Sequence, residues 1–421
     1  MTAMPTPYSR RCRRSAPLRW LLPALAGFAA SAAAAADAPY ADTLAGDWGG
    51  RRSSWRDAGY DWQLVYKADL VKRLDAGGPG KLRALDNLDL KLDVDGMKAF
   101  GLGGTRLFLH LLSNRGAKPA AESGGLADGI DNIEVPENGN TTKVFELYWE
   151  QRLLGDRVGL LFGLFDLNSE FYSTPASALF LHPTFGTGAE LGGSGRNGPS
   201  IFPNAALALR LRYDGETGTY ASAAVFDGVP GDPENLHGNH VRLDKGDGSL
   251  AIAEAGSGTL QHGRLAVGGW SYTAKFPSLA EVDGSGRPVP RPERGAYVLA
   301  EKRLAAAGAA DVDGFLRYGR ATSATLHFDR AFGAGVVGRG LVAARPADEI
   351  GLAYAWERNS PAWRASRANA PPSERSLELI YRLHLAPGLI VQPVLEYLAD
   401  HGSEAGADRV WFAIVRCELN F

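Results

Sequence analysis

Apolar and polar residues alternate with a period of two along much of this chain. In residues 87–95, Leu88, Leu90, Leu92 and Val94 alternate with Asn87, Asp89, Lys91, Asp93 and Asp95. In a strand these sets lie on opposite faces of the sheet. Leu107, Leu109 and Leu111 likewise oppose Arg106, Phe108 and His110. Leu207, Leu209, Leu211 and Tyr213 oppose Ala206, Ala208, Arg210 and Arg212. Near the end, Leu377, Leu379, Tyr381, Leu383 and Leu385 oppose Glu378, Ile380, Arg382 and His384. Trp411, Ala413, Val415, Cys417, Leu419 and Phe421 oppose Phe412, Ile414, Arg416, Glu418 and Asn420.

The pattern predicts sixteen strands, at 62–73, 86–95, 104–112, 143–153, 157–166, 205–213, 219–227, 249–255, 264–275, 296–304, 312–320, 332–341, 349–357, 376–385, 389–398 and 409–421. Segments 249–255 and 332–341 carry it least; without them the count is fourteen. A soluble β-sandwich also alternates, but two features point to a membrane barrel. The polar faces carry many full charges, as a water-filled lumen requires. Short turns (214–218, 386–388) interleave with long loops (113–142, 168–204), as in bacterial barrels with an even strand count. The expected fold is an all-β transmembrane antiparallel β-barrel with a short N-terminal helical segment.

The first residues change the picture. Arg10, Arg11, Arg13, Arg14 and Arg19 precede an apolar run, residues 20–30, and a small-residue tract ends just before Asp37. Residues 1–36 therefore read as a secretory signal peptide. Residues 37–61 follow as a periplasmic or lumen-side segment, with a short helix over 51–58 ended by Gly59. Residues 62–421 form the barrel. No later stretch is apolar enough for a membrane-spanning helix. Five of the 45 basic residues and none of the 47 acidic ones fall in the leader, so the remainder is net acidic, which argues against nucleic acid as a partner. Cys12 leaves with the leader, and Cys417 is left alone.

Candidate chemistry is that of a wall, not of a catalyst. Parity nominates lumen side chains: Lys67, Asp69 and Arg73; Asp89, Lys91 and Asp93; Arg106 and His110; Glu146, Tyr148, Glu150 and Arg152; Arg210 and Arg212. Both signs of charge occur, which disfavours a strict ion filter. Charged groups can hydrogen-bond polar solutes, and aromatic faces can take apolar surface. In a large barrel the third external loop can fold inward and narrow the lumen. Residues 168–204 hold that place here, carrying Glu170 and Arg196 among others, with a Gly-rich stretch suited to tight packing. The eight His lack metal-ligand spacing, and no nucleophile elbow is present, so neither a cofactor, a metal nor an enzyme is expected. Runs such as residues 128–132 read as solvated loop polars.

Three blocks carry a family resemblance. Residues 44–59 (LAGDWGGRRSSWRDAG), 145–172 (FELYWEQRLLGDRVGLLFGLFDLNSEFY) and 381–397 (YRLHLAPGLIVQPVLEY) resemble, in order and spacing, the carbohydrate-selective porins of Gram-negative outer membranes. The resemblance covers nearly the whole chain after the leader. It departs at Glu396-Tyr397 and Asp400-His401, where the family usually has Gln-Tyr and Asn-Pro; Glu396 shares the lumen parity of Gln392 and Val394. The resemblance implies a sixteen-stranded barrel conducting monosaccharides or small oligosaccharides by facilitated diffusion. Outer-membrane lipid surrounds it, and the barrel-assembly machinery reads the last strand, which ends in Phe421. A general small-solute porin and a barrel enzyme remain the alternatives. A homo-oligomer is compatible with the sequence.

Overall fold

The computed structural model describes residues 40–74, 80–120, 129–135, 139–239, 241, 243–308, 310–367, 369–400 and 409–421. The expected leader, residues 1–36, lies outside the described residues. Sixteen strands form one closed antiparallel barrel: β1 (Tyr60–Arg73), β2 (Arg83–Asp95), β3 (Thr105–Gly116), β4 (Thr141–Leu153), β5 (Val158–Phe165), β6 (Ala206–Asp214), β7 (Tyr220–Asp227), β8 (Ser249–Thr259), β9 (Gly263–Val282), β10 (Pro288–Ala307), β11 (Ala310–Ala321), β12 (Phe328–Arg339), β13 (Glu349–Asn359), β14 (Ser373–Ala386), β15 (Leu389–Ala399) and β16 (Val410–Asn420). Each strand pairs with its sequence neighbours, and β1 closes on β16 with Lys67 opposite Glu418 and Asp69 opposite Arg416.

Closure removes the sheet edges and satisfies the backbone inside the wall, the condition for crossing lipid with strands. The alternation then sorts the side chains. Leu107, Trp149, Phe162, Leu209, Leu265, Leu316, Leu352 and Leu379 stand exposed on the outer face. Asp69, Asp89, Glu150, Arg210, Glu254, Asp313, Arg317 and Glu378 are buried inside.

The two segments with the weakest alternation are both strands, β8 and β12, so the expected sixteen stand. The outline departs from the sequence reading in two ways. β9 and β10 run to 20 residues each, well past the expected 264–275 and 296–304. Pro277, Pro288, Pro290 and Pro292 interrupt the pattern there, and the ladder takes them up at register shifts, where a missing N–H costs least. Finally, the inward face is not polar throughout. Phe315, Ile380, Val394, Phe412 and Ile414 point inward and pack with Ile130, Ile133, Phe180, Leu181 and Phe185 of the long loops.

The N-terminal segment clips the seam. Helix α1 (Arg51–Asp57) ends at Ala58, and Gly59 follows with φ +96°. Buried Arg52 donates to Thr43 Oγ1, to the Gly46 carbonyl and to the Trp62 carbonyl, each at 3.1 Å, under the Tyr40 ring at 3.7 Å. Leu44 N–H donates to the Asn420 carbonyl at 2.8 Å. The segment thus ties the start of β1 to the end of β16 at the end of the barrel where the C-terminus lies.

Candidate functional site

The segment between β5 and β6, residues 166–205, enters the barrel. A loop buried there must find partners for its backbone N–H and C=O groups away from bulk water. The wall supplies them. Glu254 on β8 accepts from Tyr172 N–H at 2.9 Å and from the Tyr297 hydroxyl at 2.7 Å. Glu301 on β10 accepts from Ala176 N–H at 3.2 Å, and Glu293 from Gly195 N–H at 2.7 Å. Glu378 on β14 accepts from Leu181 and His182 N–H at 2.7 and 2.9 Å. Arg317 on β11, 2% exposed, donates to the carbonyls of Tyr172 at 3.1 Å and Gly186 at 2.8 Å, to that of Phe185, and to Ser177 Oγ at 3.2 Å. Gln392 on β15 reaches the Leu179 carbonyl at 2.8 Å, and Arg264 on β9 the Ser173 carbonyl at 3.0 Å. The loop is a strap across the lumen, fastened from β8 to β15.

Around it lie two apolar beds. Phe180, Leu181 and Phe185 pack on Phe315, Val394 and Phe412; Phe171, Tyr172 and Leu191 pack on Tyr148, Tyr220, Trp270 and Tyr297. His182 is buried on the strap, and this burial pushes its imidazole down to about 3. Its Nε2 lies 3.8 Å from Glu396 Oε1. Glu396 is inward-facing, as parity places it, but the strap covers it completely.

The sequence-nominated side chains gather on the other side of the lumen. Lys67 lies 3.6 Å from Asp89. His110 contacts Asp89 through Nε2 at 2.9 Å and Glu146 through Nδ1 at 3.3 Å, and Lys91 stands opposite His110 in the β2–β3 register. Arg106 donates through Nε to Asp93 at 2.7 Å and through Nη1 to the Tyr148 hydroxyl at 3.1 Å. Its guanidinium sits 5.1 Å from the centre of the Phe108 ring, which stacks on Tyr148. Glu150 joins Arg210 at 3.0 Å and Arg152 at 3.2 Å. Glu170 of the strap bridges Arg210 at 2.9 Å and Arg212 at 3.2 Å, and Asp214 takes Arg152 and Arg212, both at 2.7 Å. These residues make one charged network over β1–β6. Arg73, at the external end of β1, stands apart from it. So does Arg196, 68% exposed and 3.5 Å from Asp247.

The matching wall on β8–β16 was not nominated, although the same parity marks it. Arg303 meets Asp311 at 3.0 Å and Asp313 at 2.5 Å; Glu349 takes Arg339 at 2.8 Å and Arg382 at 3.2 Å; Arg382 also meets Glu418 at 3.1 Å. These pairs ring the half of the lumen on the side of the termini. Both signs alternate around the ring.

Residues 131–132 are not solvated loop polars. Arg416 on β16 holds Asp69 at 2.6 Å, Asp131 at 3.1 Å and the Asn132 side-chain oxygen at 2.8 Å. Asp131 is buried, and burial together with nearby Asp69 raises its carboxyl well above the usual range. Glu134 accepts from Ala120 and Ile130 N–H at 3.2 and 3.1 Å, and burial pushes it up to about 7. The second external loop is thus docked on the inner wall. Among the described residues no cluster of His, Cys, Asp or Glu is arranged to hold a metal ion.

A closed sixteen-stranded barrel with a lipid-facing apolar band, a charged interior and a strap across its lumen is an outer-membrane porin. Residues 80–421 match the family model described as "Carbohydrate-selective porin, OprB family". The chain belongs to that family and is a carbohydrate porin of the Gram-negative outer membrane, not an enzyme. It is 24% identical to Porin B of Pseudomonas aeruginosa, over 98% of this chain and 99% of that one. Among solved structures, the high-pH structure of Pseudomonas putida OprB matches with a TM-score of 0.80 at 21% identity, over 90% of this chain and 98% of that one. The low-pH structure of the same protein matches with a TM-score of 0.60 at 19% identity, over the same shares.

Proposed function

We propose that the strap sets the constriction, and that the network over β1–β6 gives it its preference for sugars. The observation that carries this is the place of Arg106. It is 40% exposed, beside the stacked pair Phe108–Tyr148 and the carboxylates of Asp93 and Glu150. A pyranose passing there meets an aromatic face for its C–H surface and paired charges for its hydroxyls. The charges are held by one another, so each contact with solute is weak and the sugar can leave again. Lys67, Lys91, His110, Glu146, Arg152, Glu170, Arg210 and Arg212 continue the lining. Arg73 and Arg196 act at the external mouth.

Residues 1–36 serve as the export leader, and the strand ending in Phe421 is the segment read by the assembly machinery. The single-channel current tests the pore assignment. Millimolar glucose should reduce the conductance reversibly, and Arg106→Ala should weaken that block several-fold. A block unchanged in Arg106→Ala would remove the network from the account.

A further inference from the structure

The outer wall carries a second concentration of charge. On β11, Asp313, Phe315 and Arg317 face the lumen, so Leu316, Tyr318 and Arg320 face outward. On β13, Ala353, Ala355 and Glu357 are buried inside, and Tyr354, Trp356 and Arg358 face outward. β12 lies between them with Phe332 and Arg330 on the outer face. The registers align these residues in two rows. Tyr318 pairs with Phe332 and Phe332 with Trp356; Arg320 pairs with Arg330 and Arg330 with Arg358. The arginine row is one step of two residues, about 7 Å, toward the external end from the aromatic row. Leu316, Val336 and Leu352 lie on the opposite side of the aromatic row, toward the middle of the wall.

Aromatic rows mark the membrane interface, so the three arginines stand at headgroup level on the external leaflet. Like charges directly opposite one another on adjacent strands repel. One carboxylate compensates: Asp329, at the register shift beside the row, bonds Arg358. Arg320 and Arg330 have no carboxylate partner among the described residues, and Arg330 Nε is a buried donor without an acceptor. Beside them opens an outward groove of about 850 Å³, lined by Arg294, Arg320, Thr322, Ser323 and Arg358, with Asp329, which Arg358 holds, as its carboxylate. The long β9–β10 hairpin stands over it, and Arg291 of that hairpin also lines it.

We propose that this row and groove bind the phosphate groups of lipopolysaccharide, the glycolipid of the outer leaflet. A guanidinium row matches phosphate oxygens in paired N–H···O geometry, and the lipid's chains would lie over the apolar wall on the other side of the aromatic row. The site is separate from the pore, since Arg320, Arg330 and Arg358 face away from the lumen.

The test measures retention of purified deep-rough lipopolysaccharide by the full barrel in detergent, followed by native mass spectrometry. Wild type should hold the lipid about ten-fold better than Arg320→Ser/Arg330→Ser, with the difference fading at high salt. Arg320→Lys/Arg330→Lys, which keeps the charges but not the fork, should fall between them. Enzymatically dephosphorylated lipid should bind wild type as poorly as intact lipid binds the Ser variant. Heat-modifiable gel mobility and sugar permeation should be the same in all three proteins, which separates a lost site from a misfolded barrel. Equal retention by wild type and the Ser variant would overturn the proposal. So would equal retention of dephosphorylated lipid, or full displacement by excess inorganic phosphate, which would mark a free-anion site.

Discussion

Glu190 of the strap lies against the bare Cα of Gly319 on β11. A Cβ at 319 would fall 1.7 Å from Glu190 Oε1 and 2.4 Å from the Tyr172 hydroxyl, which donates to that carboxylate at 3.0 Å. The strap's height in the lumen is therefore set partly by an absent side chain. Gly268 on β9 makes room in the same way for the Tyr297 ring, whose Cζ would lie 2.1 Å from a Cβ there.

Gly319→Ala should lift the strap and widen the passage. Trisaccharide permeation should rise several-fold relative to glucose. Adding Glu190→Ala should restore much of the discrimination, because the second change relieves the collision that the first creates and the two are not additive. Additive effects in liposome swelling would contradict the contact.

Glu378→Ala leaves the N–H groups of Leu181 and His182 without their acceptor in a buried place. Each orphaned amide costs about 1–3 kcal/mol of strap seating. Hydrogen exchange over residues 178–186 should accelerate at least ten-fold, and Glu378→Gln, which keeps an acceptor oxygen, should show a smaller change. Unchanged exchange would mean that the strap is held by its apolar bed alone.

The docking of the second external loop should depend on pH. Glu134 is pushed up to about 7 by burial, so the docked state holds a proton that the released state gives up near the ordinary 4.5. Docking is strongest at the acid end and weakens as pH rises from about 4.5 through about 7. Asp131, raised for the same reason, acts in the same direction. Proteolytic nicking of this loop should be faster at pH 8 than at pH 5, and Glu134→Gln should flatten much of the difference. Faster nicking at pH 5 would reverse the assignment.

Asp348, in the turn before β13, behaves oppositely. Its bond from Arg345 and those from His384 N–H at 3.0 Å and the Tyr381 hydroxyl at 2.9 Å lower it to about 2. It stabilises the turn fully above about pH 4, and that contribution is lost as pH falls through about 2. The midpoint of heat-induced unfolding should be lower in Asp348→Asn than in wild type at pH 6, and the gap should close toward pH 2. A gap of constant size would place the effect elsewhere.

The alternation made the barrel legible because one face meets lipid and the other water, and a period of two survives wherever those faces differ. It faded where they did not. The distal β9–β10 hairpin and its prolines stand beyond the membrane, and Phe412 and Ile414 face loops instead of water. The inward course of residues 166–205 was readable from its place as the third external loop. Its fastenings were not, since Arg317 and Tyr172 are 145 residues apart and Gln392 and Leu179 are 213 apart. The charges of β8–β16 lay on the same parity as those of β1–β6. That parity was legible along each strand, whereas their partners follow only from the register.

Whether the pore prefers sugars through the network around Arg106 can be read from liposome swelling with the purified barrel in glucose, in a disaccharide and in an amino acid of glucose-like size. Swelling should be faster in glucose than in the amino acid, and that preference should be lost in Arg106→Ala/Glu150→Ala with the barrel still folded. Equal rates for sugar and amino acid in the wild type would contradict it.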